Sequence, residues 1–143
     1  MTVKAINPAT GKAIGEYEQL DRRALEQKIE AAHACFLEWR RTSFEARARL
    51  MHQAAELLEE NQEKYAQLMT HEMGKAIGEA RSEIAKCAWV CRYYAEHAEA
   101  FLQDEYIETD ASKSFVTHQP LGVVLAVMPW NFPFWQVFRF AAP

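Results

Sequence analysis

Asn131 and Arg139 are the two side chains of this sequence best suited to act on a polar ligand. Asn131 carries a carboxamide that donates two N–H bonds and keeps the same charge state near neutral pH. Aimed at a carbonyl oxygen, it stabilises the negative charge that grows there during nucleophilic attack, an effect of about 3 to 4 kcal/mol for such donors. Arg139 is the only charged residue between Leu121 and Pro143. Its planar guanidinium can clamp a carboxylate through two parallel bonds, and burying it without an anion would be costly. Each residue also has a purely structural use. Asn131 can cap a helix whose first turn is pre-set by Pro133, a use compatible with chemistry. Arg139 can join an ion pair or sit on an exposed edge.

The segments around these residues suggest how they are held. Leu121 to Met128 is an unbroken apolar run, and its β-branched part, Val123 to Val127, reads as a strand buried on both faces of a parallel sheet. Phe134 to Ala142 can be helical. With a helix starting near Phe132, positions 132, 136 and 139 share one face. Pro129-Trp130-Asn131-Phe132-Pro133 then lies between strand and helix. Open α/β sheets hold ligands there, beyond the carboxyl ends of their strands. The same run is no membrane span. Pro129, Asn131, Pro133, Gln136 and Arg139 interrupt it, and the uninterrupted part falls well short of the ~20 residues required.

Upstream, the pattern predicts a hairpin and four helices. Val3 to Ile6 and Ala13 to Tyr17 flank the turn signal Asn7-Pro8-Ala9-Thr10-Gly11. Asp21 can cap a helix to about Trp39, with Leu25, Ile29, Ala32, Phe36 and Trp39 on one face. Ser43 can cap the next, to about Asn61, and Glu63 to Met73 forms a third that ends at Gly74. The fourth has the cleanest pattern. Ile77, Ala80, Ile84, Cys87, Cys91, Tyr94, Ala98 and Phe101 make one continuous apolar stripe. Tyr106 to Thr109 and Ser114 to Thr117 then read as two short strands. The order is a helical front end, a strand pair and the first βα step of a doubly wound α/β sheet. One buried parallel strand cannot satisfy its ladder bonds alone, so the fold is expected to be incomplete as written.

Several function classes drop out. The net charge of -4 is small, and Lys and Arg are interspersed with Asp and Glu, so no basic stripe suggests nucleic acid. The N-terminal residues lack the pattern of a signal peptide. Three cysteines without a CxxC pair suggest reduced thiols in the cytoplasm. Cys87 and Cys91 lie on the fourth helix's stripe and Cys35 beside Phe36, so all three read as core rather than as nucleophiles. The five histidines are dispersed, and no metal motif is present. Gly74-Lys75 lacks the rest of a phosphate loop and reads as a helix terminus.

Four blocks occur in order: Asn7-Pro8-Ala9-Thr10-Gly11, Glu72-Met73-Gly74-Lys75, Pro120-Leu121-Gly122-Val123-Val124 and Pro129-Trp130-Asn131-Phe132-Pro133. In them the chain resembles, over its whole length, the N-terminal third of the NAD(P)-dependent aldehyde dehydrogenases. Phe132-Pro133-Phe134-Trp135-Gln136-Val137-Phe138-Arg139 is similar to members that oxidise succinate semialdehyde. The resemblance implies residues 1–105 as hairpin and helices of the cofactor-binding domain, 106–120 as bridging strands used in oligomerisation, and 121–143 as the first βα unit of a Rossmann-like sheet. It implies NAD or NADP as cofactor, a small aldehyde as substrate and a homo-oligomeric enzyme, with neither nucleic acid nor membrane as partner.

The resemblance also distributes roles. Asn131 matches the asparagine that holds the developing oxyanion, and Met128, Pro129, Trp130 and Asn131 match the stretch passing close to the cofactor. Phe132 matches a wall of the substrate channel, and Arg139 an arginine gripping a distal carboxylate. The family's nucleophilic cysteine, glutamate base, ribose-binding lysine and glycine turn have no counterpart in these 143 residues. Alone the chain is therefore expected to be inactive. The alternative is a non-catalytic module that associates with full-length subunits through its exposed apolar surfaces.

Overall fold

The computed structural model describes residues 2–143. A long helix, α4 (Ile77–Phe101), organises the packing. Its stripe of Ala80, Ile84, Cys87, Ala88 and Cys91 is fully buried against Ala55 and Leu58 of α2 (Phe44–Glu60) and Ala66 and Met69 of α3 (Gln62–Met73). Small side chains dominate this seam, which lets the helices pack closely. Phe134, Trp135 and Phe138 of the short helix α5 (Pro133–Ala141) cover another part of α4.

Local signals set the boundaries. Asp21 accepts the Ala24 N–H at 2.7 Å and starts α1 (Arg22–Trp39). Ser43 does the same for α2 through Ala46 at 3.2 Å. Gly74 closes α3 with φ 75°, a left-handed turn that favours glycine, and a Cβ there would meet Pro8 Cγ at 3.1 Å. Two ion pairs fasten the rims of α4: Arg81 to Glu63 of α3, and Arg92 to Glu59 of α2.

The strands form two antiparallel pairs. β1 (Thr2–Ile6) pairs with β2 (Ala13–Glu18), with a register irregularity at Ala5/Ile6. Asn7 Oδ1 holds their turn by accepting from Ala9 N and Thr10 N at 2.9 and 3.2 Å. β3 (Glu105–Tyr106) and β4 (Phe115–Val116) are shorter than the strands anticipated from sequence.

Two expectations need correcting, on Val123 to Val127 and on Cys35. Val123 to Val127 pairs with nothing among the described residues, so no parallel sheet forms there, and Leu121, Leu125 and Val127 are 97%, 89% and 86% exposed. A strand's backbone bonds come from its neighbour, and none is present. α1 forms where its spacing predicts but buries no residue completely; at its C-terminal end Arg47 donates to Trp39 O at 3.0 Å and stacks over the Trp39 ring. Cys35, read as core, is exposed on that helix.

Candidate functional site

The turn that carries Asn131 is fastened from below by two buried charges, Lys75 and Glu83. Gly74 ends α3 and sends the chain into the core at Lys75; Glu83 then projects from the buried face of α4, between Ala80 and Cys87. The Lys75 ammonium donates to Glu83 Oε2 and, at 3.3 Å, to the backbone carbonyl of Asn131. It also lies 3.7 Å from the centroid of the Phe132 ring, a favourable cation–π placement. The other Glu83 oxygen, Oε1, accepts from the backbone N–H groups of Phe134 and Trp135, both at 2.9 Å. Each charge thus has its opposite and further hydrogen-bond partners, the condition under which an ion pair survives burial.

This arrangement removes the capping use of Asn131. The residue flanking α5 is Phe132, and no side chain of the turn caps the helix. Glu83 caps it from another helix, placing a full negative charge at its N-terminus, where the helix dipole favours one. The Asn131 carboxamide makes no hydrogen bond among the described residues and stands exposed. It is free to donate.

The other residues singled out from sequence separate around the turn. Phe132 and Trp135 line an open cleft of about 480 Å³ with Gly78, Ser82, Glu83 and Lys86. Trp130 faces a different cleft, beside Leu68, Met69 and Met73 of α3. Met128 is half-buried, and Pro129 is exposed on backbone that belongs to no helix or strand. Arg139 lies in the last turn of α5, exposed and without an ion-pair partner among the described residues. The structural pair considered for it is therefore absent there, and its charge suits that helix end.

The cysteines offer no nucleophile. Burial, with the Glu83 charge as a lesser contribution, pushes the Cys87 thiol up to about 12, and burial likewise raises Cys91. Both stay protonated at neutral pH. Among the described residues no group of histidine, cysteine or acidic side chains could hold a metal ion.

Sequence reasoning missed Lys75 and Glu83, reading the first as part of a helix terminus. The available signal was at Glu83. It falls three residues after Ala80 and four before Cys87, on the stripe that must be buried. A carboxylate there requires a cation nearby.

A family model described as "Aldehyde dehydrogenase family" matches residues 1–143. A probable succinate-semialdehyde dehydrogenase (NADP+) of Synechocystis sp. is 50% identical over 143 residues, covering 100% of this chain and 32% of the relative. Succinate-semialdehyde dehydrogenase (NADP+) 1 of Mycobacterium tuberculosis is 47% identical over 146 residues, again covering 100% of this chain and 32% of the relative. Among solved structures, the succinic semialdehyde dehydrogenase of Streptococcus pyogenes, in complex with NADP+, superposes with a TM-score of 0.92 at 36% identity. That match covers 97% of this chain and 31% of the other. The chain spans about a third of the length of the curated relatives it matches.

Proposed function

Because the chain belongs to the aldehyde dehydrogenase family, we propose that it supplies the oxyanion-binding turn and a substrate-orienting arginine to an enzyme that oxidises succinate semialdehyde to the acid. The observation that carries this reading is Asn131, an exposed and unpaired carboxamide on a turn anchored by a buried ion pair. Attack of a thiolate on the aldehyde carbon turns the carbonyl oxygen into an oxyanion, and an N–H of Asn131 donates to it. Arg139 grips the carboxylate at the far end of the substrate, and the Phe132 ring bounds the path between them. The thiolate comes from outside these residues, since Cys87 and Cys91 are buried and protonated and Cys35 sits on α1.

The backbone of residues 128–131 fits the nicotinamide end of NAD or NADP. It is largely exposed, unpaired in any ladder and without a charged side chain to meet a phosphate. Met128, Pro129, Trp130 and Asn131 would lie along the bound cofactor. The chemistry a bound nicotinamide supplies is acceptance of a hydride. The relatives' names and the Streptococcus complex favour NADP.

The exposed β3–β4 pair, with Tyr106 and Phe115 on its surface, supports assembly as a homo-oligomer. Among the described residues no helix is long and apolar enough to cross a membrane, and three unpaired cysteines fit the reducing cytoplasm.

The test is steady-state oxidation of succinate semialdehyde and of an uncharged aldehyde by the intact protein. Asn131→Ala should lower kcat for both by about 100- to 1,000-fold. Arg139→Ala should raise KM for succinate semialdehyde by about tenfold or more while leaving the uncharged aldehyde nearly unchanged. Equal effects of Arg139→Ala on both substrates would sink the carboxylate clamp.

A further inference from the structure

We infer that Lys75 and Glu83 are positioning residues for Asn131, acting through the backbone of its turn rather than on the substrate. The inference rests on the oxyanion role proposed above for Asn131. Where a side chain points depends on the backbone that carries it, and Asn131 belongs to no helix or strand. Before it, residues 117–130 have no ladder partner; after it, α5 begins at Pro133. The turn is held instead by four contacts from one buried pair. Lys75 takes the Asn131 carbonyl and the Phe132 ring, and Glu83 takes the Phe134 and Trp135 N–H groups. These contacts fall on Asn131 itself, on its neighbour and on the first turn of the following helix. Pro129 and Pro133 restrict φ on both sides.

The pair is more than a staple of the fold, because its two charges do different things to the turn. Glu83 fixes where α5 starts. Lys75 fixes the peptide plane that leaves Asn131. A catalytic donor displaced by about 1 Å can cost on the order of 100-fold in rate, so losing either contact should reach the reaction without either residue touching substrate.

The variants to make in the intact enzyme are Glu83→Ala and the double variant Lys75→Met with Glu83→Gln. The double variant removes both charges but keeps an oxygen to accept from Phe134 and Trp135. The readouts are the first-turnover rate of nicotinamide reduction, KM for cofactor and aldehyde, and Tm. Glu83→Ala should slow the first turnover by about 100-fold, and the double variant by about tenfold, with KM for the cofactor unchanged. Should Glu83→Ala fail to fold, the double variant decides alone.

The decisive comparison repeats both changes in an Asn131→Ala background. Residues acting through Asn131 have nothing left to position there, so each change should then cost less than about twofold. A lowered Tm with a first-turnover rate near wild type would overturn the inference and leave the pair a structural element only. Equal slowing with and without Asn131 would overturn it too. A wild-type protein that oxidises no aldehyde would overturn the dehydrogenase reading, and this inference with it. An active wild type with insensitive variants would overturn this inference alone.

Discussion

The buried face of α4 and the run from Leu121 to Val127 are both apolar patterns of the kind that signals burial, yet they end in opposite states. On α4, Ala80, Ile84, Cys87, Ala88 and Cys91 are sealed against α2 and α3. In the later run Leu121, Leu125 and Val127 stand almost wholly in solvent, and Val123 and Val124 are about half exposed. The difference lies in the backbone. A helix satisfies its own N–H and C=O groups, so its stripe needs only another apolar surface. An extended segment needs a neighbouring strand for those groups before its side chains can be covered. An apolar pattern therefore says that a face wants burial, and only in a helix does it also say that the element stands without a partner strand.

The largest test of this contrast is a pair of truncations. Ile84 is fully buried, so Ile84→Ala should cost about 2 to 5 kcal/mol in urea unfolding followed by circular dichroism. Among these 143 residues alone Leu125 is 89% exposed, and in that chain Leu125→Ala should stay within about 0.5 kcal/mol. A cost at Leu125 comparable with that at Ile84 would break the contrast. It would mean that something outside the described residues covers the segment.

What was legible in the sequence follows the same division. The caps at Asp21 and Ser43, the left-handed Gly74 and the Ala80–Cys91 part of the α4 stripe all depend on residues close together in the chain, and all are found; further along that stripe Phe101 is 52% exposed. Pro133 likewise opens α5 as its type and place suggested. The cap of α5 was not legible, because Glu83 lies 51 residues from Phe134 in the chain. Local reading offered the nearest suitable side chain, Asn131, as one possible cap, and the structure gives that task to Glu83. The apolar face of α1 shows the same limit as Val123–Val127: amphipathic spacing names the face and not what meets it, and Leu25 and Ile29 stay about half exposed.

The cysteines test the contrast at a second level. Cys35 is exposed on α1, whereas Cys87 and Cys91 lie in the seam of α4. A thiol reagent on the native protein should modify Cys35 and leave the other two at least about tenfold slower, because burial both blocks them and keeps them protonated. All three should react in denaturant. Native reaction of Cys87 at the rate of Cys35 would show that the α4 seam opens readily, and the core would then differ little from the exposed run.

The smallest effect concerns the rim of the same seam, where Glu63 of α3 meets Arg81 of α4 through two bonds of 2.8 and 3.0 Å. Those bonds, with a further one from Gln67, hold the Glu63 carboxyl down at about 2, below its ordinary 4.5. A carboxyl lowered in the folded state gives stability that is present above its ordinary value and lost as pH falls toward the folded one. Wild type should therefore lose part of its Tm between about pH 4.5 and 2 through this group. Glu63→Gln should start slightly lower at neutral pH and fall less steeply across that window. Parallel curves would mean that the rim pair does not hold in solution. The joint between α3 and α4 would then rest on the apolar seam around Ala66, Met69, Ala80 and Ile84 and on the bond from Gln62 to the Arg81 carbonyl, since a solvent-exposed ion pair adds little to helices already joined by a sealed seam.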